Sequence, residues 1–301
     1  MKHDELTFDS AGAACSAWHF TGEGSALATD SGRPVVVMAH GLGGTKDSGL
    51  APFAEGLARA GLDVLAFDYR GFGTSEGTPR QRVRLEDQVA DYRAAVEAAR
   101  RLPGVDPARV VLWGVSLSGG HVLRVAAERE DVVAVVSMTP IVDGRAAARH
   151  ALKHHSPGSM ARAAADGLRS RVSARRGAGS VTMPIVAPPG RPGAMTLDGA
   201  LESYLSIAGP TWVNEIDADV SFELGTRAPA KAAKQLTCPV LVQIADFDRS
   251  APPHAAAKVA FSARAHVHHY PCDHFDVWPG QEWHETALRH QVAFLTRATA
   301  R

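Results

Sequence analysis

The chain has 301 residues, 45% hydrophobic and 21% charged, an ordinary globular composition that excludes a disordered or collagen-like polymer. Thirty-two Lys and Arg balance thirty-two Asp and Glu, so no global charge points to nucleic acid or an anionic membrane as partner. Three cysteines, Cys15, Cys238 and Cys272, without CxxC spacing argue against a disulfide framework or a structural zinc and for a reducing, cytoplasmic setting.

The N-terminus "MKHDELTFDSAGAACSAWHF" has no apolar stretch behind a basic start, and nowhere do eighteen apolar residues run together. Neither a signal peptide nor a membrane span is expected. "ELTFDS" and "CSAWHF" read as two short strands. After a polar turn, "VVVMA" is a compact apolar run suited to a strand buried on both faces, which requires covering helices. They follow in alternation. "DSGLAPFAEGLARAG" has helical spacing, "DVLAFD" is a strand, "RLEDQVADYRAAVEAARRL" an amphipathic helix, "ARVVLWG" a strand, "SGGHVLRVAAERE" a helix and "VVAVVSM" a strand. This rhythm predicts a doubly wound, mostly parallel sheet.

Around Pro140 the rhythm breaks. From 141 to 235 come the helical patterns "DGRAAARHALKHH", "SMARAAADGLRSRV" and "LDGALESYLSIAG" and a Pro/Gly stretch, with no strong strand. The segment reads as an inserted helical cap between two parts of one core, 1–140 and 236–301. The alternation resumes with "CPVLVQIAD", "PPHAAAKVAFSA", "HVHHYP" and a closing helix, "EWHETALRHQVAFLTRA".

"WGVSLSGGH" at 113–121 holds two serines with small residues two before and two after, as a tight strand-to-helix turn requires when it lifts a nucleophile above a sheet. If "VVLW" is the buried strand, the apex falls about three residues past its end, which selects Ser116 and makes Ser118 the small residue opening the helix. Alone, a GxSxS match is weak, and a turn serine without chemistry is the bland alternative. The loop "AHGLGG" at 39–44, directly after the first buried strand, supplies context. It assigns two oxyanion donors, the backbone N–H groups of Leu42 and Leu117.

With these residues the chain resembles the α/β-hydrolase superfamily, through "HGLGGTKD", "FDYRGFGTSEG", "GVSLSGG", "IADFDRSAPP" and "CDHFDVWPG", over roughly 30–140 and 236–300. It looks most like the dienelactone-hydrolase-like and X-prolyl-peptidase-like branch. The resemblance implies an eight-stranded α/β sheet and a triad in the order Ser, Asp, His. By the family pattern the acid is Asp248, three residues past Ala245, ahead of Asp143 and with Asp246 as a turn residue. The base is His274, in the loop before the closing helix. Two departures stand out: Ser118 where Gly is commoner, and Cys272 where members often carry Gly.

Other features have plainer readings. His266 and His268 share a strand face without further ligands at metal spacing, and His154 and His155 are similar, so no metal or cofactor is expected. His40 pins its loop, and Asp68, Arg70 and Gly71 form a turn. "HGLGG" and "RGFGTSEG" lack the spacing of a phosphate loop. Between Ile141 and Met195 nine Arg or Lys face two Asp, the usual mark of a solvated helix face, or else a field that steers an anionic substrate and weakens with salt. Met160, Met183, Met195, Tyr204 and Trp212 are candidates for an apolar acyl pocket or for core. The expectation is a serine hydrolase, monomer or homodimer, that cleaves a small-molecule carboxylic ester or lactone. The alternatives are a peptidase, amidase or thioesterase with the same triad, and a non-catalytic binding protein on the same scaffold. Haloalkane dehalogenation is disfavoured, because it needs Asp at the elbow.

Overall fold

The computed structural model describes residues 1–154, 157–176, 179–225 and 230–300. Eight strands form one sheet: β1 (Asp4–Ser10), β2 (Ala13–Phe20), β3 (Arg33–Ala39), β4 (Asp63–Phe67), β5 (Val105–Val115), β6 (Val132–Met138), β9 (Val240–Ala245) and β10 (His266–Tyr270). Their spatial order is β1-β2-β4-β3-β5-β6-β9-β10. Only β1 with β2 and β2 with β4 run antiparallel; every later pairing is parallel. The Val-rich runs of β3, β4, β5, β6 and β9 are buried nearly throughout, which is why they read as continuous apolar blocks rather than alternating ones.

Helices cover the sheet where the sequence periodicity places them. α1 (Ala51–Arg59) packs on α10 (His284–Thr299), and α2 (Leu85–Ala99) on α3 (Leu117–Ala126); α9 (Pro253–Ser262) lies on β9. Leu85, Val89, Tyr92, Val96 and Ala99 make the buried stripe of α2. The Tyr92 hydroxyl lies 2.6 Å from the Val37 carbonyl and 2.7 Å from that of Trp113, fixing this helix against β3 and β5. Because the chain visits β4 before returning to β5, β3 and β5 are neighbours, with Ala39 opposite Gly114. The loops leaving those two strands therefore emerge side by side, at the carboxyl edge where open α/β sheets place their sites.

Between β6 and β9 the chain forms α4 (Gly144–His154), α5 (Pro157–Arg175), β7 (Thr182–Met183), α6 (Ala200–Ile207), β8 (Ile216–Asp217), α7 (Val220–Gly225) and α8 (Ala230–Ala233). The strands β7 and β8 are two residues each and pair antiparallel; with α7 and α8 they are too short to carry a readable period in the sequence. An ionic cluster joins this segment to the loop before α2. Arg84 pairs both guanidinium nitrogens with the buried Asp219 at 2.6 Å, and Ser170 donates to the buried Asp217 at 2.6 Å. No helix among the described residues is long and apolar enough to cross a membrane.

Candidate active site

β5 runs to Val115 and α3 begins at Leu117, so Ser116 alone makes the turn, with φ 55° and ψ −116°. The strand ends later than the sequence suggests, and the serine follows it immediately. A serine at positive φ is sterically disfavoured and persists only where its surroundings hold it. Here the Ser116 N–H donates to the Met138 carbonyl and the Ile141 N–H to the Ser116 carbonyl, both at 2.9 Å. The turn is tight enough that a Cβ on Gly114 would stand 2.3 Å from the Ser118 carbonyl oxygen, and one on Gly41 2.8 Å from Ser116 Cβ. Only glycine fits at either position.

The two serines differ in what their hydroxyls do. Ser118 is fully buried; its Oγ accepts the Val115 N–H at 2.9 Å and lies 2.7 Å from the Ala39 carbonyl, tying β5 to β3. Ser116 lines a cavity of about 420 Å³ instead.

Asp248 follows β9 and His274 follows β10, and the two meet: His274 Nδ1 donates to Asp248 Oδ2 at 2.6 Å, both side chains being buried. The other carboxylate oxygen, Oδ1, accepts the N–H groups of Ser250 at 2.8 Å and Ala251 at 2.6 Å. Burial works to lower the His274 imidazole, but the Asp248 charge and hydrogen bond, with the Asp273 charge, outweigh it and hold the ring above its ordinary value. The rival acids stand elsewhere. Asp143 caps α4 through the N–H groups of Arg145 and Ala146, both at 2.9 Å. Asp246 pairs with His269 at 2.6 Å on the surface.

Leu42 lies beside Ser116 on the cavity wall. Among the described residues no group accepts a hydrogen bond from its N–H. As the first residue of α3, Leu117 has an N–H without an intrahelical acceptor. The loop bearing Leu42 is held at three points. The His40 Nε2 lies 2.9 Å from the Ser48 carbonyl and its ring stacks on Trp278, and burial drives this imidazole down to about 4. The Lys46 backbone N–H and ammonium donate to Asp68 at 2.6 and 2.7 Å. Finally, the Tyr204 hydroxyl donates to the Leu42 carbonyl at 3.0 Å.

Met160, Met183 and Met195 line the cavity with Ser116, as do Ile141, Ala147 and Phe222. Tyr204 and Trp212 do not: they stack on each other at 4.9 Å behind the Leu42 loop. Of the basic run, Arg162 and Arg191 reach the cavity, whereas Arg171 turns to Asp219 at 3.6 Å. His268 stacks on His290 at 3.7 Å and the His266 ring sits tilted 5.4 Å from Phe294; His155 and the side chain of His154 lie outside the described residues. Cys272, where glycine is common, has no left-handed backbone, so it imposes no strain on the His274 loop. Burial, then neighbouring carboxylates, pushes its thiol up to about 12.

The family described as serine aminopeptidase, S33, matches residues 30–178. The crystal structure of the α/β hydrolase GrgF from Penicillium sp. sh18 superposes over 100% of both chains with a TM-score of 0.81 at 21% identity, a likeness of fold. The quorum-quenching protein AidA of Acinetobacter baumannii (strain MDR-ZJ06) is 34% identical over 296 residues, 97% of this chain and 94% of that protein. The chain belongs to the α/β-hydrolase superfamily. A thiohydrolase of Aspergillus aculeatus, aneE, is 41% identical over 110 residues, 36% of this chain and 35% of that protein.

Several residues around this hydrolase's site escaped the sequence reading. Arg249 and Asp273 flank Asp248 and His274, and they pair at 2.5 Å. His150 of α4 bonds the Asp248 carbonyl at 2.9 Å. Adjacency to the motif residues was the available signal for the first two; nothing in the local sequence marks His150, or the hold of Tyr204 on the Leu42 carbonyl, since the partners are 98 and 162 residues away.

Proposed function

We propose that this enzyme is a serine hydrolase that cleaves a carboxylic ester or lactone through an acyl-enzyme on Ser116. The observation that carries the reading is the buried His274–Asp248 hydrogen bond, on the same edge of the sheet as a serine held at φ 55° over an apolar cavity. His274 takes the Ser116 proton as the serine oxygen attacks the carbonyl carbon. The N–H groups of Leu42 and Leu117 bind the oxyanion. Collapse expels the alkoxide, which leaves with the proton from His274, and a water activated by the same imidazole then releases the acid. Asp248 keeps the ring in the tautomer with Nδ1 protonated. The segment 141–235 acts as a cap, since its α4, α5 and 190–197 loop supply most of the cavity wall and so choose the acyl group.

A thioester substrate is the second reading, favoured by the matched thiohydrolase; the acyl-enzyme is the same and only the leaving group differs. A panel of esters, a lactone, a thioester and an amide across acyl lengths separates the two. In the same assays Ser116→Ala lowers turnover about 10,000-fold or more and abolishes fluorophosphonate labelling, while Ser118→Ala keeps the label. Labelling that survives in Ser116→Ala would overturn the assignment.

A further inference from the structure

The Asp248–His274 bond has a twin. One residue later on the first loop and one earlier on the second, Arg249 meets Asp273, so two charged pairs run side by side between the turns after β9 and β10. Asp273 Oδ1 accepts the N–H of Arg249 at 3.0 Å and of His274 at 2.8 Å. Its Oδ2 takes Arg249 Nε at 2.5 Å. The Asp273 N–H donates in turn to Asp276 at 2.8 Å. Arg249 also lines the Ser116 cavity, and its Nη2 donates to the Asp198 carbonyl at 3.1 Å, in the segment leading into α6.

We infer that Asp273 and Arg249 are positioning residues for the base: Asp273 fixes the His274 backbone and adds negative charge beside its imidazole, and Arg249 governs how much of that charge the ring feels. The inference rests on His274 acting as general base. A carboxylate near an imidazole stabilises the protonated form and makes it a stronger base, and a guanidinium bound to that carboxylate cancels part of the effect. The groups facing His274 are Asp248, Asp273 and the buried His40, with Arg249, Asp276 and His150, which bonds the Asp248 carbonyl, one contact further out. Burial keeps His40, at about 4, neutral where His274 titrates, so it adds no charge there. Burial would raise the Asp273 carboxyl, but the N–H groups and guanidinium bonded to it hold it below the usual range, so it carries its charge through the range where His274 titrates. Through Asp198 the proposed cap is tied to the same guanidinium, so cap and base share one ion pair.

Asp273→Asn keeps an oxygen to accept both N–H groups while removing the charge and the acceptor of Arg249 Nε; Arg249→Met removes the guanidinium and leaves the carboxylate. The readout is a nitrogen NMR titration of the His274 imidazole in the full chain, with the acidic limb of kcat/KM beside it. Asp273→Asn is expected to move the His274 midpoint down by roughly half to one pH unit, and Arg249→Met to move it up by a similar amount. In the Asp273→Asn background, where Arg249 has lost its partner and is no longer held at this site, Arg249→Met is expected to shift the midpoint by less. A midpoint that stays in place while kcat or Tm falls, or that moves the same way in both variants, would overturn the inference. The NMR titration needs no turnover, so full activity in Ser116→Ala would defeat the hydrolase mechanism while leaving this test intact.

Discussion

At the scale of single residues, Ser116 and Ser118 have the same flanking chemistry and opposite environments. The Ser118 hydroxyl is committed to two strands, so Ser118→Ala leaves a buried N–H and carbonyl short of a partner and is expected to cost about 1–3 kcal/mol, read as a lower urea midpoint with labelling intact. His274 gives a pH signature. Its imidazole must be neutral to accept a proton, and its value is raised, so the acidic limb of kcat/KM is expected above about 6.5. Asp248→Asn moves that limb down and lowers kcat roughly 1,000- to 10,000-fold; an unmoved limb would assign it to another group. That Ser116, Asp248 and His274 lie on the loops leaving β5, β9 and β10 was legible, because motif position fixes where each leaves the sheet. Tyr204 was not: a tyrosine at helical spacing looks the same whether it lines a pocket or holds Leu42.

At the scale of elements, the strand–turn–helix around Ser116 is a local structure, set by Gly114 and by the apolar runs on either side. The segment from α4 to α8 is held differently, by charges from distant sequence. Arg84→Ala strips the buried Asp219 of its bidentate partner, leaving Arg171 at 3.6 Å as its remaining ion-pair partner among the described residues. That change is expected to destabilise by about 2–3 kcal/mol and to expose α7 to proteolysis first. Digestion that begins in the core instead would show the anchor to be unimportant. The same segment explains a limit of sequence reading. The helices α4, α5 and α6 announce themselves by period, but the two-residue strands and the 135-residue span between Arg84 and Asp219 carry no local trace.

For the whole molecule, two buried imidazoles tilt stability in opposite directions with pH. His40 sits at about 4 when folded, so the unfolded chain binds more protons between about 6.5 and 4. Stability is expected to fall by about 3 kcal/mol as pH drops through that window, a slope that His40→Asn flattens in urea titrations. His274, with its raised value, adds stability that is complete below about 6.5 and fades as pH rises through its folded midpoint. By itself the sequence determined the parallel sheet, the order of its elements and the residues at its carboxyl edge, because apolar runs, helical stripes and glycine-rich turns are local signals. Tertiary structure decided which carboxylate meets His274, which serine faces the cavity, and which of the candidate lining residues reach it. Those are contacts between loops far apart in sequence, fixed by strand order and packing rather than by any neighbouring residue.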